Sequence, residues 1–240
     1  NNKMKDLLCV IPARKGSKGI PGKNLIEFGG KPLLAWTIES ALESKTSSRV
    51  IVSTDCLEIC EIAKSFGAEV PYLRPKSIAN DNVHAVHVAL HALEWLEHNE
   101  KFTPAAVMML LPTSPLRLPK DIIGAVNLFE NKNADSVISI VNLGKYLTNL
   151  RYLNGLTVER LSANEDPNAQ RQGLKPIYGV NGSIFIAKSK VLIDEGTFHT
   201  DVSLGYVMDL INSTDINSPK DLEVAREFCL NHEPWRSFKR

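Results

Sequence analysis

Runs of apolar residues at consecutive positions recur along the chain, at Leu7 to Ile11, within Arg49 to Ser53 and at Ala105 to Leu111, and Ser136 to Val141 predicts a further strand. A strand that carries apolar side chains on both faces is buried on both, so Leu7 to Ile11 and Arg49 to Ser53 predict buried strands and Ala105 to Leu111 a central strand of a largely parallel sheet. Between them the period becomes helical. Leu33, Leu34, Ile38, Ala41 and Leu42 mark a helix opened by Lys31-Pro32, with Pro32 in its first turn, and Ile59, Ile62 and Ala63 mark a second, capped from Thr54-Asp55. Val83 to His98 predicts a third, with Val83, Val86, Leu90 and Leu93 as its core stripe, and Ile122 to Phe129 a fourth. Shorter strands are predicted at Ala68 to Tyr72, Ser183 to Ala187 and Tyr206 to Ile211, before a last helix in which Ser218, Pro219 and Asp221 form a capping signal. This alternation predicts an α/β fold, a Rossmann-like, mostly parallel sheet flanked by helices. Only 142–180 departs from it. Leu150, Tyr152, Leu156 and Leu161 keep an apolar spacing there, so the stretch reads as a small lobe, contained in 142–206, inserted into a single domain of 1–240.

The loop after the first strand carries the densest candidate chemistry. Gly16, Gly19 and Gly22 allow positive φ and close backbone approach, and Arg14, Lys15, Lys18 and Lys23 add positive charge, a combination suited to phosphate. Its place at a strand's carboxyl end, where open α/β sheets bind ligands, separates it from an ordinary solvated turn. The spacing is not that of a Walker A loop, because five residues lie between Gly16 and Gly22-Lys23 and Asn24 follows, and Lys18 occupies the second glycine position of a dinucleotide fingerprint.

Further candidates stand at other predicted strand ends. In Leu73-Arg74-Pro75 the proline keeps Arg74 extended, as a second cation for a nucleotide. Pro112 to Arg117, PTSPLR, is barred from helix by its prolines and presents two hydroxyls. Asp215, facing the cationic loop, is what Mg²⁺ on a triphosphate requires, because that ion takes one or two carboxylates beside phosphates and water. His84, His87, His91 and His98 share a helix, but His84 and His91 are two turns apart, roughly 10 Å along its axis, and they read as a helix face rather than a metal cage.

Composition narrows the partners. With 240 residues, 43% apolar and 23% charged, the chain can bury one large core, and a net charge of +1 gives no reason to expect nucleic acid. Cys9, Cys56, Cys60 and Cys229 have no zinc or CxxC spacing and read as free thiols of a reducing compartment. No apolar run reaches the roughly 18 residues of a membrane span, and NNKMKD lacks the hydrophobic part of a secretory signal, so a cytoplasmic enzyme with no membrane partner is expected.

Pro12-Ala13-Arg14, Gly16-Ser17-Lys18-Gly19 and Lys23-Asn24 resemble the first motif of the CMP-sialic acid synthetases, the acylneuraminate cytidylyltransferases. Leu73-Arg74-Pro75, the PTSPLR loop, Arg171-Gln172, Asn181-Gly182 and Asp215-Ile216 follow in that family's order. The resemblance implies a nucleotide-diphospho-sugar transferase type of fold and a reaction in which CMP passes from CTP to the anomeric hydroxyl of a 2-keto sugar acid, releasing pyrophosphate, with Mg²⁺ as cofactor. It implies a homodimer whose inserted lobe reaches the partner's active site. By resemblance Lys23, Arg14 and Lys18 act on the triphosphate, while Pro12, Ala13, Arg14, Ser17, Asn24, Arg74 and Val83 hold the nucleotide. Arg171 meets the sugar carboxylate, with Gln172 and Asn181 nearby and Phe198 lent to the neighbouring site. Asp215 and Asn217 stand at the metal.

Four positions depart from the family pattern. Leu111 replaces a glutamine that contacts the sugar, Asn149 a lysine, Ala85 a serine near the nucleotide, and Asn217 a second metal carboxylate. The first two leave the sugar open among sialic, legionaminic and pseudaminic acids and an eight-carbon relative, and Asn217 leaves open the number of metal ions. Two rivals are a sugar-1-phosphate nucleotidyltransferase, told apart by consumption of a sugar phosphate, and a non-catalytic nucleotide-binding relative, told apart by the absence of pyrophosphate release.

Overall fold

The structure is a computed structural model and describes residues 6–17, 19–79, 84–162 and 174–231. In chain order its strands are β1 (Leu7–Pro12), β2 (Glu27–Phe28), β3 (Lys31–Pro32), β4 (Arg49–Ser53), β5 (Ala106–Leu110), β6 (Ser136–Tyr146), β7 (Arg151–Asn154), β8 (Thr157–Arg160), β9 (Pro176–Lys188) and β10 (Leu204–Met208). The helices are α1 (Leu33–Ser44), α2 (Leu57–Ser65), α3 (Ala85–Glu100), α4 (Pro119–Asn131), α5 (Ser189–Glu195) and α6 (Pro219–Asn231).

Six strands form one sheet in the order β10-β6-β9-β5-β1-β4. β1 pairs in parallel with β4 and β5, β10 pairs in parallel with β6, and β9 alone runs antiparallel, between β5 and β6. The consecutive apolar run of β1 is explained by alternation across the sheet. Leu7, Cys9 and Ile11 point into one core with Ile38, Ile59 and Phe129 of α1, α2 and α4, while Leu8 and Val10 point into a second with Leu93 and Leu96 of α3 and Leu192 of α5. Burial on both faces accounts for the apolar runs of β1 and β5. A third cluster joins Ile20, Phe28, Leu33, Trp36, Leu116, Ile216 and Leu222, so the segments following β1, β5 and β10 are packed against each other and against α6.

The order of strands locates the site. From β1 the chain moves outward to β4 and then returns past β1 to β5, so the loops leaving β1 and β5 diverge from adjacent strands at a topological switch point.

Several expectations are corrected in detail. Pro32 lies one residue before α1 and pairs with Glu27 in a small hairpin, because its ψ of 143° is extended. Cys56, not Thr54 or Asp55, is the residue from which α2 starts; its N–H is bonded to Thr54 Oγ1 at 3.2 Å, and the Asp55 carboxylate accepts from the Lys15 N–H at 2.9 Å. Ala68 to Tyr72 is no full strand and meets β4 through one isolated bridge, Glu69 to Ile51, with a second from Leu73 to Thr54 just past the end of β4. The stripe of α3 is Val88, Ala89, Ala92, Leu93 and Leu96, with Val86 and Leu90 at its edge. The strands expected at Ser136 to Val141 and Ser183 to Ala187 are the inner ends of β6 and β9, which continue outward as a long two-stranded ribbon through Tyr146 and Pro176. β10 ends at Met208, three residues before Ile211. Within the inserted stretch, β7 and β8 form a separate hairpin on which Tyr152, Leu153, Leu156 and Val158 are exposed.

Candidate active site

Three loops meet at the carboxyl ends of the parallel strands: 13–24 after β1, 111–118 after β5 and 209–218 after β10. Their contacts are direct. The Ile216 N–H donates to the Thr113 carbonyl at 2.8 Å, and Lys23 Nζ donates to the Ile216 carbonyl at 2.8 Å. A Cβ on Gly19 would stand 2.1 Å from the Asn217 carbonyl oxygen, so glycine is required there for backbone to touch backbone. Gly22 takes a positive φ of 63° and Gly16 faces open space, so the freedom of glycine is used for a turn at Gly22 and for the close approach at Gly19.

The loop closes on itself where Asn24 Nδ2 donates to the Arg14 carbonyl at 2.9 Å, and it is tied to β4 by the Ala13 N–H on the Ser53 carbonyl at 2.9 Å and by the Lys15 bond to Asp55. Pro12 ends β1, and Arg14 and Ser17 are half-buried on the loop. Arg74 is the surprise. It is 5% exposed with Nε and Nη2 unpartnered, and its backbone N–H is held by the Thr54 carbonyl at 2.7 Å. The proline after it keeps the chain extended, but the side chain turns inward instead of lying on the surface.

The electrostatics is that of several cations sharing a small space with three carboxylates, Asp55, Asp215 and Asp221. Burial lowers the Lys23 pKa and Asp215 opposes that, while Arg14 adds to the lowering. Arg74 is lowered by burial too, against Asp55, and Arg14 again repels it. An anion with several oxygens would relieve this repulsion, which is the property expected of a polyphosphate site.

Asp215 lies where this cluster faces β9. Its Oδ2 accepts from Asn217 Nδ2 at 2.6 Å, and its Oδ1 is buried with no partner. A Cβ on Gly182 would come 3.7 Å from Leu111 Cδ1 and 4.0 Å from Asp215 Oδ2, which places an apolar wall from Leu111 beside the carboxylate. The orphaned oxygen fits a hard cation. The Asn217 amide points its donor, not its oxygen, at Asp215, so it would have to turn over to serve as a ligand. Among the described residues no group of three or more His, Cys, Asp or Glu could hold a metal, so a cation here would depend on substrate oxygens.

Other predicted residues have different surroundings. Asn181 is buried and fully engaged: its Oδ1 accepts from Ser139 Oγ and the Ser183 N–H, and its Nδ2 donates to Ser213 Oγ at 2.9 Å. It supports the strand ends rather than offering an amide to a ligand. Phe198 is 4% exposed in the core of its own chain, its ring 5.9 Å from Phe185, so burial holds it inward and it does not project toward a neighbour. It borders a cavity of ≈ 340 Å³ beside the start of α3. Ala85 opens α3, and Asn149 is exposed on the turn before β7. Lys18, Val83, Arg171 and Gln172 lie outside the described residues.

Comparison with known proteins decides the family. A cytidylyltransferase family model matches residues 8–230. The chain belongs to the cytidylyltransferase family. It is 34% identical over 231 residues to the CMP-N,N'-diacetyllegionaminic acid synthase of Legionella pneumophila, covering 95% of this chain and 98% of that one. It is 35% identical over 220 residues to the N-acylneuraminate cytidylyltransferase of Escherichia coli, covering 91% of this chain and 51% of the other. It is thus a cytidylyltransferase of the acylneuraminate type. In fold it is similar to a CMP:2-keto-3-deoxy-manno-octonic acid synthetase solved with CTP, with a TM-score of 0.65, 17% identity and coverage of 93% and 98%.

Within this family the residue that sequence reasoning left without a role is Arg117. It belongs to the PTSPLR loop, yet it is 1% exposed, with its guanidinium bonded to Ser183 and Thr37. The available signal was its position between Leu116 and Leu118 in an apolar stretch.

Proposed function

We propose that the chain transfers CMP from CTP to the anomeric hydroxyl of a 2-keto sugar acid of the nonulosonate class. The observation that carries the reading is the meeting of the β1 loop with the β10 loop, Lys23 Nζ on the Ile216 carbonyl beside the unpartnered Asp215 oxygen. In the reaction a sugar oxygen forms a bond to the α-phosphorus of CTP, the bond from that phosphorus to the β-phosphate bridging oxygen breaks, pyrophosphate leaves, and the hydroxyl proton passes to solvent.

Such a transfer needs little covalent help from the protein, and charge neutralisation in a fixed geometry supplies most of the effect. Lys23, Arg14 and Lys18 neutralise the triphosphate and the departing pyrophosphate. Pro12, Ala13, Ser17, Asn24, Arg74 and Val83 surround the nucleoside. The Ala13 N–H is already taken by β4, which leaves its carbonyl for recognition. Arg171, with a planar fork of donors, suits the sugar carboxylate, and Gln172 stands beside it. Asp215 holds Mg²⁺, which when bound withdraws charge from the phosphate oxygens. Leu111 gives the sugar an apolar neighbour where a glutamine would give a hydrogen bond, and this bears on which nonulosonate fits.

The protein acts in the cytoplasm as a homodimer. Cys9, Cys56, Cys60 and Cys229 are all free and buried, as suits a reducing compartment, and no described helix is long and apolar enough to cross a membrane. The test is pyrophosphate release with CTP, Mg²⁺ and a panel of sialic, legionaminic, pseudaminic and eight-carbon 2-keto sugar acids, beside a sugar 1-phosphate. Turnover with a sugar acid is expected; turnover with the sugar phosphate alone would overturn the reading.

A further inference from the structure

The Arg117 guanidinium is buried with no ion-pair partner among the described residues. Burial pushes its pKa down to about 10. Cys9 and Asp121 oppose that shift from a distance, but neither pairs with the guanidinium, and a leucine or methionine would fill the same volume without the cost of burying a charge. What an apolar side chain could not supply is the bonding. Nη1 donates to the Ser183 carbonyl at 2.8 Å, to Ser183 Oγ at 3.3 Å and to the Leu111 carbonyl at 3.4 Å, while Nη2 donates to Thr37 Oγ1 at 2.9 Å. One rigid fork therefore joins β9, the end of β5 and α1.

The chain of contacts continues upward. The 111–117 turn is closed by the Ser114 N–H on Leu111 and the Arg117 N–H on Ser114, and its Thr113 carbonyl receives the Ile216 N–H. Ile216 in turn receives Lys23 Nζ and stands between Asp215 and Asn217. Ser183 follows Gly182, whose open side faces both Leu111 and Asp215. Both walls around Asp215 thus rest on the same guanidinium.

We infer that Arg117 is a positioning residue, which ties the 111–117 turn to β9 and α1 and so fixes the loop bearing Asp215 relative to Lys23. The inference rests on the reading that these two residues act in CMP transfer. Arg117 touches no substrate in this scheme; it holds the distance between groups that do.

The experiment measures amide hydrogen exchange and pyrophosphate release in the wild type, Arg117→Gln, Arg117→Lys and Thr37→Val. In Arg117→Gln the Ile216 amide is expected to exchange at least about tenfold faster than any change seen at Val107 in the centre of β5. Its kcat should fall at least about tenfold while the KM for CTP moves less than about threefold. Lysine restores part of both effects, because one ammonium can reach Ser183 but cannot also serve Thr37. Thr37→Val removes a single anchor with the volume kept, and it gives the same pattern in smaller measure if the glutamine variant does not fold. If Ile216 and Val107 lose protection together, or if kcat survives with the Ile216 amide loosened, Arg117 is an ordinary core residue and the inference is wrong. A wild type that releases no pyrophosphate with any sugar acid would defeat the functional reading alone, since the exchange measurement still decides whether Arg117 holds the loop.

Discussion

Lys23 is subject to two opposing effects: burial and Arg14 lower its pKa, and Asp215 raises it, with burial the largest. The ammonium form is therefore lost at a lower pH than in a free lysine. kcat/KM for CTP, which reports the free enzyme, should fall on its alkaline side before pH 10.5, the ordinary lysine value, and Lys23→Arg should move that limb upward. Lys23→Ala should lose at least about a hundredfold in turnover, about 2.7 kcal/mol, in a protein that still folds. Near wild-type kcat in that variant would remove Lys23 from the mechanism. At this scale the sequence was legible where structure is local, as in the loop that leaves β1 at Pro12 and closes at Asn24. It was not legible for Arg74 and Arg117, because composition marks arginine as a surface residue and only the packing of distant elements shows both to be buried. Nor could it show the amide of Asn181 to be used up by Ser139 and Ser213, 42 and 32 residues away.

The acidic segment after β10 acts as an element, not as two separate side chains. Asn217 gives its amide N–H to Asp215, and its backbone carbonyl sits against Gly19, so the segment is closed before any cation arrives. Asp215→Asn should abolish activity at any practical Mg²⁺ concentration, since it removes the only carboxylate of the pair. Asn217→Asp replaces the 2.6 Å hydrogen bond by two facing carboxylates. That variant should be less stable than the wild type without Mg²⁺, recover in thermal melts as Mg²⁺ is added, and reach half-maximal rate at lower free Mg²⁺. An Asp215→Asn protein that keeps its rate would place the cation elsewhere. Element prediction succeeded where burial alone sets the pattern, as in β1 and β5. It fell short at β9, whose place between β5 and β6 is a long-range pairing, and in α3, where Val86 and Leu90 lie at the edge of the buried stripe and the expected stripe was turned by about a third of a turn.

On the scale of the whole molecule, the hairpin of β7 and β8 is the part that a single chain does not explain. Two strands alone are marginal in water, and here they carry Leu153 opposite Val158, 74% and 64% exposed, with Leu156 fully exposed at the turn. Side chains directly opposite on one face make a small apolar patch, flanked by the Arg151 and Arg160 pair two residues along. The long ribbon of β6 and β9 carries Leu143, Tyr178 and Val180 outward as well, so the hairpin is not the only apolar surface in this part of the chain. A second copy is the partner that covers such surface without a further protein, and a two-fold pairing would cover both copies at once. Light scattering at micromolar concentration should therefore give about twice 26.6 kDa. Leu153→Glu combined with Val158→Lys keeps a cross-strand attraction within the hairpin but removes its apolar face, and it should shift the mass toward one chain with the sheet core intact. The same variant should lose activity only in proportion to the monomer formed if the hairpin completes a neighbouring site. A wild type that scatters as a single chain would leave the hairpin's apolar face without a purpose in self-association, and the homodimer would have to be abandoned.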